Sequence, residues 1–504
     1  MDELMDMSAG KKNVIALTNA TLGALPSHVT VPSYDRGKLS PGILHIGVGN
    51  FHRAHLAWYV HRLMQHGHDF NWAIIGAGVL QNDAVMREKL LRQDCLTTLI
   101  ELDPHGLQVT EITGAMLDFL PVEPDHKLLI QAMADPRIGI VSMTVTEGGY
   151  YLDPVNGGLD SEHLDMRHDA ENPDHPRSAF GAIVAALRLR RDTGVGPVTC
   201  LSCDNLQGNG NILRQAVVGL AKRNDPDLAD WIDTHCSFPN SMVDCIVPAT
   251  GPAELKYVQA LGVGDAVPVT HENFRHWVIE DDFCAGRPAW ELVGVEFSDH
   301  VHQHEAQKIR VLNGGHQVLA NVAELLGIET ISDAMANPLI HAMFRKIQTE
   351  EIIPHIEPLS GKPVADYLDL IDARFANAAI IDTVRRVAFD GSARHVGFIL
   401  PSLRDGLATG WPIEGLALVE AAWARMCQGT RDDGSLIKPN DPTWDMLSNT
   451  AIAAKKTPSA WLAMHHIYGD LATEPRFVTA FETWLTAFYK NGVEATIGRY
   501  INAK

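Results

Sequence analysis

The sequence predicts an α/β domain followed by a mainly helical one. Over roughly the first 300 residues, short apolar runs alternate with segments of helical periodicity, the pattern of βαβ units around a mostly parallel sheet. Beyond about residue 300, apolar residues recur at helical spacing and strand-like alternation nearly disappears. The length of 504 residues agrees, since at about 150 residues per domain it argues for two or three domains.

The elements follow in order. Residues 43–48 read as a first strand closed by glycine, and 53–65 as the helix after it. Residues 72–77 read as a second strand and 83–91 as its helix, while 97–100 and 107–112 look like a small hairpin insertion. Buried strands are expected at 138–145 and 198–203, a helix at 179–191, and a strand at 292–297. Helices are expected at 301–326, 333–351, 364–375, 378–387, 415–426 and 476–490. The domain boundary is placed near Phe297-Ser-Asp-His, giving domains of 1–298 and 299–504.

Composition narrows the class. Lys and Arg total 41 against 62 Asp and Glu, a net charge of −21 that disfavours gripping nucleic acid or an anionic membrane. With 46% hydrophobic and 20% charged residues, long disorder is not expected. The acidic start Met1-Asp-Glu-Leu lacks the basic and apolar regions of a signal peptide, and no apolar run approaches the roughly 20 residues of a membrane span. Seven sparse cysteines suit reduced thiols, so a cytoplasmic setting is expected.

Two stretches carry chemistry. Gly47-Val-Gly49-Asn50-Phe51-His52-Arg53 closes the first strand and opens the first helix, where glycines bring backbone amides close to a pyrophosphate. His52 stands where a third fingerprint glycine would be. After the second strand, Asp83 is placed to bond ribose hydroxyls and repel a 2′-phosphate, or to cap the next helix. The first domain is therefore expected to be a Rossmann-like doubly wound sheet that binds NAD, and the second a mainly α-helical domain. In the second stretch, at about 100° per residue Lys308, Asn313 and His316 fall within an arc of about 140° on one helix, beside Ile309 and Leu312. Desolvation there would lower a lysine toward the range useful to a general base, while the spacing alone also describes a lysine at the edge of an amphipathic helix. Gly314 and Gly315 weaken that helix, a cost that close approach of another group explains.

The chain resembles the polyol-specific long-chain dehydrogenases, the mannitol dehydrogenase family. The matching motifs are Gly47-Val-Gly-Asn-Phe-His-Arg-Ala-His55, Thr146-Glu-Gly-Gly-Tyr150, Ser202-Cys-Asp-Asn205, Phe238-Pro-Asn-Ser-Met-Val-Asp244, Trp277-Val-Ile-Glu-Asp281, Lys308-Ile-Arg-Val-Leu-Asn313-Gly-Gly-His316 and Asp390-Gly-Ser392. They run in the family's order over about residues 40–490. The resemblance implies metal-independent, NAD-dependent oxidation of a hexitol, first D-mannitol, to D-fructose, and the reverse reduction. It implies Lys308 as general acid/base, Asn205 and Asn313 holding the reacting oxygen, and His316 positioning substrate. Asp244 and Arg386 match positions that bond further hydroxyls, Glu305 one that relays protons to Lys308, and Thr146 and Glu147 a segment on the cofactor side. Arg394 stands where many relatives have lysine, and its planar fork with more donors bears on substrate preference.

Alternatives within the family are a hexuronate reductase and an arabinitol or sorbitol dehydrogenase. Glycine in Thr146-Glu-Gly-Gly, where hexuronate reductases tend to carry lysine, favours a polyol. A non-catalytic NAD-binding sensor is expected to lack Lys308, Asn313 or His316. Cys200-Leu-Ser-Cys203 has half a zinc site's spacing without a second pair, and reads as two buried thiols. His52 is expected near cofactor phosphates and His55, His61, His66 and His68 on a solvated face, while Trp277 is expected in the core. The partner is a small polyol or ketose, and family expectation is a monomer.

Overall fold

The computed structural model describes residues 14–104, 108–151, 159–160, 162–359 and 363–503. Residues 1–13 and Leu107 of the expected hairpin lie outside the described residues. The chain divides into two compact units: Met1–Tyr151, Gly158–Asp204 and Gly208–Asp299 form one, and Leu152–Gly157, Asn205–Gln207 and His300–Lys504 the other. Asn205, expected on the first domain, groups with the second unit.

The first unit is built on five strands: β1 Pro41–Ile46, β2 Ala73–Ala77, β3 Met116–Phe119, β4 Ile140–Met143 and β5 Thr199–Ser202. All pair in parallel, in the order β3-β2-β1-β4-β5. All six residues of β1 are buried, which explains its continuous apolar run: a parallel sheet is covered on both faces. The order reverses between β1 and β4, the switch point at which doubly wound sheets open a crevice beyond their carboxyl ends.

The helix expected at 53–65 starts earlier and is broken into α1 Asn50–Ala54 and α2 Leu56–Gln65, while α3 is Asp83–Leu91 as expected. The break falls at His55, whose ring stacks on Phe51 at 4.9 Å and whose Nε2 lies 3.3 Å from the His276 carbonyl. The expected solvated face is corrected by burial of His55 and His61. Aromatic neighbours and Glu111 draw these rings inward: His61 Nδ1 is 2.7 Å from the Tyr34 hydroxyl and its Nε2 3.4 Å from Glu111. His66 and His68 are exposed. The hairpin pairs Thr97–Leu102 with Gln108–Thr113, and Val269–Glu272 and Val29–Thr30 extend it to a separate four-stranded sheet. Residues 292–297 do not form one strand. A 3₁₀ turn, Trp290–Val293, sinks Trp290 against buried Trp277 at 4.7 Å, and only Glu296–Phe297 pairs afterwards.

In the second unit the helix expected at 301–326 is α4 Val301–Gln307, a π-turn Lys308–Asn313, and α5 Gly314–Leu325. The segment 333–351 is cut at Asn337, which accepts from the Leu339 and Ile340 amides, leaving α6 Pro338–Ile347 and a second π-turn Gln348–Ile352. Proline at the first helical position sacrifices no intrahelical bond. Of the helix expected at 378–387 only Val384–Val387 forms. The Asn377 side chain bonds the Ala379 amide instead, the local turn chemistry that competes with helix, and Thr383 caps the short helix by accepting from the Arg386 amide.

Helix α5 is buried at every position, and α7 Glu414–Cys427 at nearly every one. A buried network joins them. Asn321 of α5 donates to His395 Nε2 at 3.0 Å, and His395 Nδ1 is 2.7 Å from Glu420 of α7. The Tyr468 hydroxyl donates to the other Glu420 oxygen at 2.8 Å and accepts from the Trp461 indole at 2.6 Å. Every member is at most 2% exposed, so each polar atom needs its protein partner.

Burial pushes His45, His55, His271 and His316 down to about 3 and His52 well below its usual value. The folded state keeps these rings neutral while the unfolded chain titrates near 6.5, so stability present above about pH 6.5 is lost as pH falls toward 3. Burial raises Glu351 to about 6, which acts in the opposite direction over a narrower range. The thermal midpoint is expected to fall steadily as pH is lowered from about 6.5 to 4; calorimetry giving a flat midpoint over that range would contradict it.

Candidate active site

The turn after β1 is shaped from inside. Gly47 has φ +94°, and a Cβ there would meet the Thr144 carbonyl at 2.0 Å, so only glycine fits between the ends of β1 and β4. The Thr144 hydroxyl donates to the Gly47 carbonyl at 2.7 Å. Asn50 donates to the Pro248 carbonyl at 2.9 Å and Thr250 Oγ1 at 3.0 Å. Arg53, 2% exposed, donates to Asn50 Oδ1 at 2.6 Å and to the Val267 carbonyl. Burial lowers Arg53 to about 10, leaving it charged at neutral pH. The buried His52 ring stacks on His45 at 3.5 Å, and Phe51 stacks on His55. The motif side chains therefore hold the loop's shape, and what the turn offers a ligand is backbone. A Cβ at Gly49 would meet nothing within 4 Å, an open approach that fits a dinucleotide pyrophosphate.

Asp83 opens α3 and folds back over the loop after β2, accepting from the Val79 and Leu80 amides at 3.0 and 2.9 Å. After β4, Thr146 sits at φ +66°, a conformation costly for a residue with a branched Cβ. Asp204 secures it. Its oxygens accept from the Val145 and Thr146 amides at 3.0 and 2.9 Å and from the Tyr150 hydroxyl at 2.9 Å. The Glu147 side chain lies outside the described residues. Asp244 ends the strand Ser241–Asp244, which pairs antiparallel with His276–Ile279, and is buried. Cys200 and Cys203 are buried thiols, burial pushing both up.

In the second unit Lys308 is 5% exposed and donates through Nζ to Asn205 Oδ1. The spacing behind the expected arc of about 140° holds for an α-helix, but the Gly314 amide bonds the Ile309 carbonyl five residues back. Hydrogen bonds of that span bring residues five apart nearly in line, so Lys308 and Asn313 share a side that α-helical spacing denies them. The two glycines explain themselves: a Cβ on Gly314 would stand 3.0 Å from the Phe398 carbonyl, and one on Gly315 2.9 Å from Gln348 Nε2. Asn313 Oδ1 is buried without a hydrogen-bond partner among the described residues.

His316 stacks on Phe375 at 4.2 Å, with Nε2 3.7 Å from Asp382. Burial, then the nearby Arg386, Arg394 and Arg374 charges, keep its ring neutral against the pull of Asp382. Asp382 grips Arg386 through both oxygens, at 2.5 and 2.6 Å. Burial raises this carboxyl, yet the Arg386 charge and hydrogen bonds bring it below its usual value. Arg394 donates to the Arg386 and Val387 carbonyls at 3.1 and 2.7 Å. Glu305, buried one turn before Lys308, lies 2.9 Å from Nδ1 of half-exposed His302. The unit thus brings Lys308 to Asn205, and His316 to Asp382 and Arg386. Sequence reasoning missed Asp204, Asp382 and Gln348. The i,i+4 spacing of Asp382 to Arg386 and the place of Asp204 beside Asn205 were signals for two of them; Gln348 had none.

A doubly wound sheet with a glycine turn at its switch point, followed by a helical unit that buries a lysine against an amide, defines a two-domain dinucleotide-dependent oxidoreductase. The models of the mannitol dehydrogenase Rossmann domain and C-terminal domain match residues 41–292 and 300–489. A mannitol 2-dehydrogenase of Cereibacter sphaeroides is 54% identical over 94% of this chain and 99% of its own. The structure of Pseudomonas fluorescens mannitol 2-dehydrogenase, a ternary complex with NAD and D-mannitol, is 37% identical with a TM-score of 0.94, covering 97% of this chain and all of that one. A D-sorbitol dehydrogenase in substrate-free form is 34% identical with a TM-score of 0.81, over 95% of this chain. The chain belongs to the mannitol dehydrogenase family.

Removing the Asp204 carboxylate strands two backbone amides at a strained loop, a loss of about 1–3 kcal/mol per unsatisfied group. Asp204→Ala is expected to weaken NADH binding on the order of tenfold in a fluorescence titration while circular dichroism stays unchanged. Wild-type affinity would separate this loop from the cofactor.

Proposed function

We propose that the protein oxidises D-mannitol to D-fructose with NAD, and runs the reverse reduction, with Lys308 as general acid/base and without a catalytic metal. The observation that carries this is the buried Lys308 amine bonded to the Asn205 carboxamide. NAD, when bound, supplies the hydride acceptor, and Gly47, Gly49 and the Thr146 loop are the backbone that holds it, with Asp83 toward the ribose. Neutral Lys308 takes the hydroxyl proton of the carbon being oxidised. Because Lys308 holds the Asn205 oxygen, the amide nitrogen of Asn205 is left to donate to the reacting oxygen as charge develops there. Asn313 joins Asn205 in holding the reacting oxygen, and neutral His316 bonds a neighbouring hydroxyl. Glu305 relays the proton outward from Lys308 by way of His302. Asp244 and Arg386 bond the more distant hydroxyls.

A neutral polyol fits this site better than a hexuronate. The Arg386 fork is already neutralised by Asp382, and Arg394 is turned to backbone carbonyls, which leaves a substrate carboxylate poorly matched. The reading places the enzyme in the cytoplasm as a monomer; among the described residues no helix is long and apolar enough to cross a membrane.

NADH formation assayed with mannitol, sorbitol, arabinitol and hexonates is expected to be fastest with mannitol and indifferent to chelator; fastest turnover of a hexonate, or loss with chelator, would overturn the assignment. Lys308→Ala is expected to lower kcat by about a thousandfold or more, within the span of general acid–base catalysis, with NADH affinity retained. Near-normal turnover in that variant would remove Lys308 as the base.

A further inference from the structure

Resting on the role proposed for Lys308, we infer that Gln348 is a positioning residue for proton transfer, acting through the π-turn that links Lys308 to Asn313. The turn is bounded by those two residues, so its hydrogen-bond pattern sets how they face one another. A π-turn is the rarer helical geometry, and the run Lys308-Ile-Arg-Val-Leu-Asn313 holds no proline or glycine to force it. Its support comes from a neighbouring helix. Gln348 Nε2 donates to the Val311 carbonyl, inside the turn, at 2.9 Å.

Three features show that this contact is built rather than incidental. Gln348 is fully buried, so water does not compete for the carbonyl. Its amide passes so close over Gly315 that a Cβ there, 2.9 Å away, would push it aside. Gln348 also opens the second π-turn, Gln348–Ile352, which aims it across the packed helices instead of along its own. Without the donor the Val311 carbonyl loses its cross-helix bond, and the Lys308–Asn313 segment is free to tighten to α-helical bonding. At α-helical spacing Asn313 stands about 140° around the axis from Lys308, so the loosened turn carries Asn313 away from the lysine.

The test uses full-length protein with mannitol and NAD. Gln348→Met keeps length and removes the donor; Gln348→Glu keeps length and donates only when protonated; Gly315→Ala blocks the approach. Gln348→Met is expected to lower kcat ten- to about a hundredfold, the scale of a misplaced catalytic group. NADH affinity is expected to stay within about twofold, and the midpoint of the kcat/KM pH profile to shift. Gln348→Glu is expected to recover relative to Gln348→Met as pH falls and its carboxyl regains the donated proton. Lower thermal stability with unchanged kcat and pH midpoint would overturn the inference and leave Gln348 a packing residue. Should Gln348→Met not fold, Gly315→Ala and Gln348→Glu decide by the same readouts. If Lys308→Ala itself keeps normal turnover, the proposed base fails instead, a result distinct from a silent Gln348 variant in an enzyme that needs Lys308.

Discussion

A helix enclosed on every side must find a partner inside the protein for each polar group it carries. Helix α5 is such a helix, and most of the second unit can be derived from that requirement. Asn321 requires His395 and, behind it, the Glu420, Tyr468 and Trp461 network. Gln317 reaches the Val387 carbonyl at 2.8 Å, which fixes the short helix bearing Arg386. His316, stacked on Phe375, meets the carboxylate that grips Arg386. The side chains around His316 and the core are one continuous set of contacts, so they are ordered by packing before any ligand arrives. Such preorganisation is what stabilises charge without reorganisation during reaction.

The first unit solves a different problem, presenting bare backbone at the end of a sheet. Asn50, His52 and Arg53 lie in the glycine motif, yet their side chains turn inward and bind carbonyls, a hydroxyl and a histidine ring. An arginine buried beneath the loop holds the Asn50 side chain and the Val267 carbonyl together, leaving the open approach at Gly49. On the other side of the switch point Asp204 restrains the strained Thr146 by taking two amides. The motif is therefore a record of scaffolding more than of direct contact.

Much of this was legible in the chain. The β1 run with its glycine, and the periodic helices after residue 300, state the architecture because burial on two faces and on one stripe leave different periods. The Lys308 segment announced its glycines, and both prove to be close approaches. What stayed hidden depended on tertiary partners. Nothing in Lys308-Ile-Arg-Val-Leu-Asn313 marks a π-turn, since the carbonyl that helps hold it is bonded from Gln348, 37 residues away in sequence. His55 and His61 resemble surface residues by type, and only the rings and carboxylate packed around them make them core. The helix expected over 378–387 shrank to its last turn because Asn377 offered the Ala379 amide a nearer bond and the cap at Thr383 starts the helix late.

The three residues Asn205–Gln207 belong to the second unit although nearly all their sequence neighbours belong to the first. A gene fragment starting at His300 would encode the lysine without the amide that Lys308 holds, and one ending at Asp299 would encode the amide with nothing to hold. The units are thus poor candidates for shuffling between proteins as independent modules. A lineage that exchanged only the segment after Asp299 would lose half of a hydrogen-bonded pair, so this architecture is expected to diversify by point substitution.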